Sequence, residues 1–196
     1  MCRKTTLLVT ALALMLVVPQ AQAAKGEWMI DFNGGAALPM SDFKDAAKVG
    51  FMGGVGAGYM VTDAVCIGAD GSYIKNDASD DLNAAISPAT AKFSMIQGGA
   101  HAKYMFPMSG ESKISPYAVV GLGLYNLKTK VELSGASADT SVNKFGGRGG
   151  LGLSYKASEN VGIGVESTFH LISTEGTSTK FIGVQAAVTV RMSQPK

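Results

Sequence analysis

After residue 24, the sequence alternates apolar side chains with small or polar ones in eight separate runs. These runs cover residues 28–38, 50–61, 65–74, 93–106, 114–127, 144–155, 161–172 and 181–192. Alternation with a period of two indicates β-strands that have one apolar face. Their length suits tilted strands that cross a bilayer, whereas a spanning helix would need about 20 apolar residues. The sequence therefore predicts eight membrane-crossing strands.

The connections between these runs alternate between long and short segments. PMSDFKDAAKVG, KNDASDDLNAAISPATAK and KTKVELSGASADTSVN are long, whereas TDA, PMSGESK and KASEN are short. This alternation is typical of up-and-down outer-membrane barrels, whose periplasmic turns are short and whose extracellular loops are long. Because hydrocarbon offers no partner for backbone amides, such strands enter a bilayer only as a closed barrel. We predict an all-β fold, an eight-stranded antiparallel up-and-down transmembrane β-barrel.

The first residues have the features of a secretory signal peptide. Arg3 and Lys4 precede an apolar stretch, and Ala21-Gln22-Ala23 is a small-x-small cleavage site. We expect a signal peptide at 1–23, the barrel at 24–192 and a short tail at 193–196. Loss of Arg3 and Lys4 reduces the 17 Lys and Arg to 15, equal to the 15 Asp and Glu. A neutral mature chain lacks the basic character of nucleic-acid-binding proteins.

Aromatic residues fall near the two ends of the predicted strands, and aliphatic residues or glycine fill the middle. Those near the periplasmic end are Trp28, Tyr59, Tyr104, Phe106, Tyr117 and Tyr155. Those near the outer end are Phe51, Tyr73, Tyr125, Phe145, Phe169 and Phe181. Two aromatic girdles around an aliphatic band are typical of a transmembrane barrel. The alternative is that aromatic residues simply favour strand ends.

Polar residues lie on the strand faces opposite the predicted lipid-facing ones. They are Asp70, Gln97, His101, Lys103, Arg148, Glu166, Gln185 and Arg191. An isolated buried charge is very costly, so these groups must pair inside the barrel. We predict a polar network in the lumen, with Arg148 and Glu166 as its main pair across adjacent strands. Its expected role is structural, or the gating of a narrow water path.

The stretch GGRGGLGLSY contains a G-x-G-x-x-G pattern at Gly147, Gly149 and Gly152. A dinucleotide-binding loop would require a helix to begin at the third glycine. Here LSYKASEN follows, and then VGIGVE, which alternates with a period of two. The glycines therefore belong to a strand, and we predict no cofactor.

A lipid A-modifying enzyme is an alternative, because His170, Ser173 and either Glu166 or Glu175 could supply a catalytic triad. A triad requires its three members within hydrogen-bonding reach of each other. Ser173 lies three residues from His170, and a strand would turn the two side chains to opposite sides. We therefore predict a protein that is not an enzyme. Two separated histidines also give no zinc pattern, so we predict no metal site.

Four segments together resemble a known family: GEWMIDFNGGAALPMSDF, GFMGGVGAGYMVTDAVCIGADGSY, ISPYAVVGLGLYN and KFGGRGGLGLSYKASENVGIGVE. They are similar to the small OmpA/OmpX-like, porin-family outer-membrane β-barrels. The resemblance implies an eight-stranded barrel in the outer membrane of a Gram-negative bacterium. It also implies a role in envelope integrity, adhesion, resistance to host factors or small-solute passage. The chain departs from the family in its final residues, VTVRMSQPK, which lack the terminal aromatic residue that aids assembly.

These expectations define the predicted partners. They are outer-membrane lipid and lipopolysaccharide, the barrel-assembly machinery with periplasmic chaperones, and an extracellular ligand bound through the loops. The barrel is expected to be a monomer. A soluble, lipocalin-like periplasmic barrel remains an alternative, and it requires apolar residues inside the barrel and polar residues outside.

Overall fold

The protein is a closed barrel of eight β-strands, as seen in a computed structural model that describes residues 25–108, 112–133, 136–174 and 177–192. Each strand pairs antiparallel with the next, and the last closes on the first. The predicted fold class is therefore confirmed. The predicted signal peptide and the predicted tail at 193–196 lie outside the described residues.

Ten elements make up the described chain. The strands are β1 Trp28–Met40, β2 Gly50–Met60, β3 Val65–Asp77, β4 Thr90–Met105, β5 Ile114–Leu133, β6 Ala136–Lys156, β7 Val161–Thr174 and β8 Thr177–Met192. The helices are α1 Asp42–Ala46, between β1 and β2, and α2 Asp80–Ile86, between β3 and β4. No helix among these residues is long and apolar enough to cross a membrane.

The two ends of the barrel differ in their connections. One end, here called the turn end, carries residues 61–64, 106–108, 112–113 and 157–160 together with Trp28 and Met192, which pair at the closure of the barrel. The opposite end, here called the loop end, carries both helices, the last paired residues of β5 and β6, Leu133 and Ala136, and those of β7 and β8, Thr174 and Thr177. The long and short connections that alternate along the sequence therefore lie at opposite ends of the barrel.

The outer surface of the barrel wall is apolar. Val120, Leu122 and Leu124 follow one another on the outward face of β5 and are 61%, 61% and 62% exposed. Outward residues of neighbouring strands continue this band: Phe32, Val55, Ile67, Ile96, Leu151, Leu153, Val165 and Val184. Because period-two alternation turns every other side chain inward, the polar residues of these strands lie inside.

Strands β5 and β6 are longer than sequence analysis predicted. The segment KTKVELSGASADTSVN was predicted to be a loop at 128–143, but its two halves pair up to Leu133 and Ala136. Above Leu124 and Phe145 the outward face becomes polar, with an Asn126–Asn143 side-chain hydrogen bond of 2.8 Å. The apolar band therefore ends there, and the hairpin projects beyond it.

The two helices cover part of the loop end. Ser79 caps α2 by accepting a hydrogen bond from the Leu82 amide, and its hydroxyl donates to the Asp45 carbonyl oxygen at 2.7 Å. Ala47 and Ala78 form a β-bridge between the two loops, and both are buried. The two helix-bearing loops are therefore packed together as one unit.

Candidate functional site

The polar residues predicted to line the lumen all lie inside the barrel. Gln97, His101, Gln185 and Arg191 are each 3–5% exposed. The side chains of Asp70, Lys103 and Arg148 are 8%, 11% and 13% exposed. Most of these groups, with Glu166, form a belt around the middle of the lumen. Arg191 instead lies opposite Met29, near the turn end.

Arg148 on β6 pairs with Asp70 on β3, on the far side of the lumen. Its two terminal nitrogens donate to the two carboxylate oxygens of Asp70 at 2.8 and 2.6 Å. His101 Nδ1 is hydrogen-bonded to the same carboxylate at 2.9 Å. A bidentate arginine–carboxylate pair is the strongest arrangement available to these groups, and it fixes their orientation.

A second charged pair lies beside the first, between Lys103 on β4 and Asp31 on β1. Lys103 Nζ donates to one oxygen of Asp31 at 2.6 Å, and the Thr189 hydroxyl donates to the other at 2.5 Å. Asp31 belongs to this network, although it was not among the lumen residues predicted from sequence. It lies on the same strand face as Met29 and Asn33, and that position indicates that its side chain points into the lumen.

The predicted pairing of Arg148 with Glu166 is wrong. In the β6–β7 register, Arg148 lies opposite His170, whereas Glu166 lies opposite Gly152. This separation along the barrel axis leaves Glu166 to accept a hydrogen bond from the Tyr117 hydroxyl at 3.0 Å. The partner of Arg148 comes instead from β3, which is not a neighbour of β6.

Buried apolar clusters lie on either side of the polar belt. The turn-end cluster consists of Met29, Met60, Cys66, Met105 and Tyr117. The loop-end cluster consists of Ala37, Met52, Ile74, Met95, Tyr125, Ile172 and Phe181, with Phe43 of α1 and Leu127 packed against it. The side chains of the two clusters occupy the lumen, one cluster on each side of the belt.

Three aromatic residues assigned to the girdles lie inside these clusters instead: Tyr117, Tyr125 and Phe181, which are 5%, 1% and 0% exposed. The Tyr125 hydroxyl is hydrogen-bonded to His170 Nδ1 at 2.9 Å, and Phe181 stacks on the His170 ring at 4.2 Å between centroids. The tyrosines face inward because their hydroxyls find polar partners there, whereas lipid offers none.

The other nine girdle residues lie on outward positions of the barrel: Trp28, Tyr59, Tyr104, Phe106, Tyr155, Phe51, Tyr73, Phe145 and Phe169. Neighbouring rings contact one another at each end. Trp28 and Tyr59 lie 5.3 Å apart at the turn end, and Phe51 and Tyr73 lie 6.1 Å apart toward the loop end.

Two glycines of GGRGGLGLSY provide space for the inward tyrosines of β5. A Cβ atom at Gly152 would collide with the Tyr117 ring, its direct cross-strand neighbour. A Cβ atom at Gly146 would lie 2.7 Å from Tyr125 Cε2. These two positions therefore require glycine because a large ring packs over each of them.

A small cavity lies within the belt, bordered by Asn33, Asp70, His101, Arg148 and Gln185 among others. Its volume is about 30 Å³, which suits about one or two water molecules. Its walls are polar, so water is the occupant that they favour. The cavity is too small for a solute larger than that.

The triad suggested for a lipid A-modifying enzyme does not form. His170 is fully buried and hydrogen-bonded to Tyr125 and to the Thr168 hydroxyl, at 2.9 and 3.0 Å. Ser173 is exposed, Glu166 is bonded to Tyr117, and Glu175 lies outside the described residues. No group of three His, Cys, Asp or Glu side chains in the described part of the chain could hold a metal ion.

The projecting β5–β6 hairpin carries a cluster of charges on its outward face. Glu132 accepts hydrogen bonds from Lys92 and Lys130, both at 2.8 Å, and Lys128 forms an ion pair with Asp139. The two lysines lower the pKa of Glu132 from 4.5 to about 2. These interactions hold β5 to β4 and to β6 beyond the apolar band.

On β6, the described pairing with β5 extends further toward the loop end than the described pairing with β7. β6 pairs with β5 from Ala136 to Tyr155, but with β7 only from Gly146 to Lys156. Across residues 136–145, no described strand pairs with the other side of β6.

An apolar outer wall around a paired, polar interior defines a membrane-inserted β-barrel. The sequence matches the outer membrane protein beta-barrel domain over residues 7–191, and the chain belongs to this family. It is an outer-membrane β-barrel protein of the Gram-negative type. The soluble lipocalin-like alternative is wrong, because its apolar and polar faces would be reversed.

Solved structures show the same fold. Neisserial surface protein A is 22% identical, with a TM-score of 0.56, covering 85% of this chain and 99% of that chain. A major outer membrane protein from Thermus thermophilus is 10% identical, with a TM-score of 0.60 and coverages of 84% and 99%. Ail, the attachment invasion locus protein of Yersinia pestis, is 17% identical, with a TM-score of 0.52 and coverages of 86% and 99%. A search among curated proteins gave no match.

Proposed function

We propose that this protein is a closed barrel that anchors an interaction surface at the cell exterior, and that it is neither a pore nor an enzyme. The closure of the lumen by an apolar cluster on either side of the belt carries this proposal. Water and ions crossing the barrel would have to displace Tyr117 at one end and Phe181 at the other. Both side chains are buried and held by neighbours.

The distribution of the chain between the two ends supports a surface role. The two packed helices and the projecting hairpin all lie at the loop end, whereas the turn end carries short connections. In outer-membrane barrels the long connections face the exterior and the turns face the periplasm. The additional structure is therefore on the side where an extracellular ligand would bind.

The outer surface of the barrel and its export to the outer membrane indicate the other partners of the protein. The exposed apolar band would contact the acyl chains of lipid and lipopolysaccharide, with the barrel as a monomer. Insertion would require periplasmic chaperones and the barrel-assembly machinery, as for other barrels of this family. The polar belt stabilises the closed form of the lumen.

Recording in planar bilayers tests the closed lumen. We expect no conductance above background from the purified protein. The double variant Tyr117→Ser and Phe181→Ser, which removes a ring from each cluster, should show small, steady conductance. Steady conductance of the unaltered protein would refute the proposal and favour the alternative of a narrow pore gated by the Asp70–Arg148 pair.

A further inference from the structure

We propose that the turn-end cluster binds one Cu(I) ion through its sulfur atoms. Four of the five side chains in this cluster carry sulfur: Met29, Met60, Cys66 and Met105. Soft thioether and thiolate ligands favour Cu(I) over metal ions that prefer nitrogen or oxygen. The site is built without histidine or carboxylate groups, and it goes beyond the proposed surface role, on which it does not depend.

The barrel brings these four side chains together from four consecutive strands, β1 to β4. Met60 and Cys66 are direct cross-strand partners on β2 and β3. Met29 on β1 is the diagonal neighbour of Met60, and Met105 on β4 is the diagonal neighbour of Cys66. Long side chains in direct and diagonal positions on one face of a sheet reach each other. The four sulfur atoms therefore belong to one continuous group on the lumen wall.

The glycine at position 58 directs the Cys66 thiol into this group. A Cβ atom at Gly58 would lie 2.4 Å from Cys66 Sγ, so the thiol leans from β3 over β2. Gly58 pairs directly with Met29, and this position therefore brings the thiol toward Met29 as well as Met60. Cys66 is free and 1% exposed, and no hydrogen bond joins its sulfur to another described residue. It is a buried ligand with no partner in the part of the chain that the structure describes.

Packing alone does not require this composition. The loop-end cluster occupies the same lumen chiefly with hydrocarbon side chains, such as Ile74, Ile172 and Phe181. Methionine is unbranched, and its thioether is flexible and polarizable. Three such side chains can therefore turn toward an ion without movement of the strands that carry them.

The charge of the four ligands matches a monovalent ion. Binding converts the Cys66 thiol to a thiolate and releases its proton to water. One thiolate and three neutral thioethers balance the single positive charge of Cu(I), so the loaded cluster is neutral. A divalent ion such as Zn²⁺ would leave one positive charge close to Lys103 and Arg191, the cross-strand partners of Cys66 and Met29. An unbalanced buried charge is very costly.

The position of the cluster indicates entry from the periplasm. Met60 and Met105 are the last residues of β2 and β4, so both adjoin the turns that face the periplasm in this family of folds. On the side of the belt, the 2.6 Å ion pair between Lys103 and Asp31 connects β4 with β1. A cation that enters at the turn end therefore meets the sulfur ligands before it meets the charged belt.

The test uses the mature barrel, residues 24–196, in detergent micelles without oxygen, with the bicinchoninate complex of Cu(I) as the copper donor. Cys66 is the one thiol in this part of the sequence. We expect the barrel to remove one equivalent of Cu(I) from the donor, and X-ray absorption to show only sulfur neighbours around copper. Bound Cu(I) should also raise the unfolding midpoint, because it binds the folded barrel in preference to the unfolded chain.

Substitutions of similar size identify the sulfur atoms that bind. Cys66→Ser, and separately Met60→Leu with Met105→Leu, should each lower the affinity by about 100-fold or more, because loss of a group that only orients a metal ligand already costs about 10–100-fold. The matched control is Met52→Leu with Met95→Leu in the loop-end cluster, which should bind Cu(I) like the parent protein. Exchange of Met for Leu is well tolerated in protein cores, so these variants should keep heat-modifiable gel migration.

Several results would overturn the proposal. They are no uptake of Cu(I) from the donor, uptake at the parental affinity by Cys66→Ser, and binding of Zn²⁺ as tight as that of Cu(I). An equal loss of affinity in the Met52 and Met95 control would also overturn it, because the loss would then reflect packing in general. Nitrogen or oxygen neighbours around copper in the unaltered barrel would do the same, whether or not a variant folds.

These outcomes are separable from those for the closed lumen. Conductance of the unaltered barrel would refute the proposed closure and leave the copper site intact. Failure to bind Cu(I) would refute the copper site and leave the closed, anchoring barrel unaffected.

Discussion

Arg148 on β6 forms a bidentate ion pair with Asp70 on β3, with donor–acceptor distances of 2.8 and 2.6 Å across the lumen. The two strands are not neighbours in the sheet, so this pair connects opposite walls of the barrel. Backbone pairing already fixes each strand to its two neighbours. Backbone hydrogen bonds do not connect β3 with β6, so the ion pair is an additional link between these two walls of the barrel. It sets the separation of the two walls at the belt.

Removing either partner of this pair should destabilise the barrel strongly. Asp70→Ala leaves the Arg148 guanidinium with an unpaired charge, and loss of one member of a buried ion pair costs about 3–5 kcal/mol. The double variant Asp70→Ala with Arg148→Ala should cost less than the sum of the single variants, because neither charge is then left alone. Urea unfolding in lipid vesicles measures all three free energies.

The Arg148–Glu166 combination is the matched control for this cycle. Because the two side chains have different partners, the coupling energy of Arg148→Ala with Glu166→Ala should remain below about 0.5 kcal/mol. A coupling as large as that of Arg148 with Asp70 would contradict the cross-barrel pair and restore the pairing expected from sequence.

The glycine at position 152 should tolerate no side chain. Gly152→Ala forces the Tyr117 ring away from its hydrogen bond with Glu166, and we expect a loss of about 1–3 kcal/mol from this overpacking. Gly98→Ala is the control, since no atom lies within 4 Å of the added methyl group. Its unfolding midpoint should equal or exceed that of the parent protein. Similar losses for the two variants would show that the Tyr117 ring does not occupy this position.

The sequence was sufficient to predict the eight strands, because one face of nearly every strand must contact lipid and the other must not. β5 is the exception. Its segment PYAVVGLGLYN is apolar on both faces, so alternation does not decide which face is inward. The deciding groups are the hydroxyls of Tyr117 and Tyr125, whose partners Glu166 and His170 lie on β7.

Other features of the interior depend on distances that the sequence does not contain. Sequence patterns relate residues on adjacent strands, so they suggested Glu166 as the partner of Arg148. They placed Asp70 in the lumen but did not pair it with Arg148, which is 78 positions away. The projecting part of the β5–β6 hairpin was not predicted from sequence for a different reason. Its Lys, Thr, Ser and Gly residues are typical of loops, and only pairing across the hairpin, as between Lys128 and Asp139, shows that they form strands.

The position of the membrane boundary predicts how charge is tolerated along the outward face of the β5–β6 hairpin. Val120→Arg places a charge near the middle of the apolar band and should cost about 2–4 kcal/mol. Ser137→Arg, on the projecting part of the same face, should change the free energy of unfolding by less than about 0.5 kcal/mol. Both are measured by urea unfolding in vesicles. A large loss for Ser137→Arg would place the hairpin inside the bilayer.

The charge cluster at the outer edge of the hairpin should respond to acid at an unusually low pH. Lys130 and Lys92 lower the pKa of Glu132 from 4.5 to about 2. Because the folded-state pKa is depressed, the stabilisation of the β4–β5 contact is fully present above about pH 4.5. It is lost progressively as the pH falls toward 2. Carboxyl carbon NMR should give a Glu132 midpoint near 2.

Neutralising Lys92 and Lys130 distinguishes their effect on the pKa of Glu132 from a general effect of low pH on the barrel. In the double variant Lys92→Gln and Lys130→Gln, the Glu132 midpoint should rise toward 4.5, because the cause of the shift is then absent. Asp139, whose pKa is lowered chiefly by Lys128, should keep a depressed midpoint and serves as the internal reference. A Glu132 midpoint that stays near 2 without these lysines would show that another group holds the carboxylate.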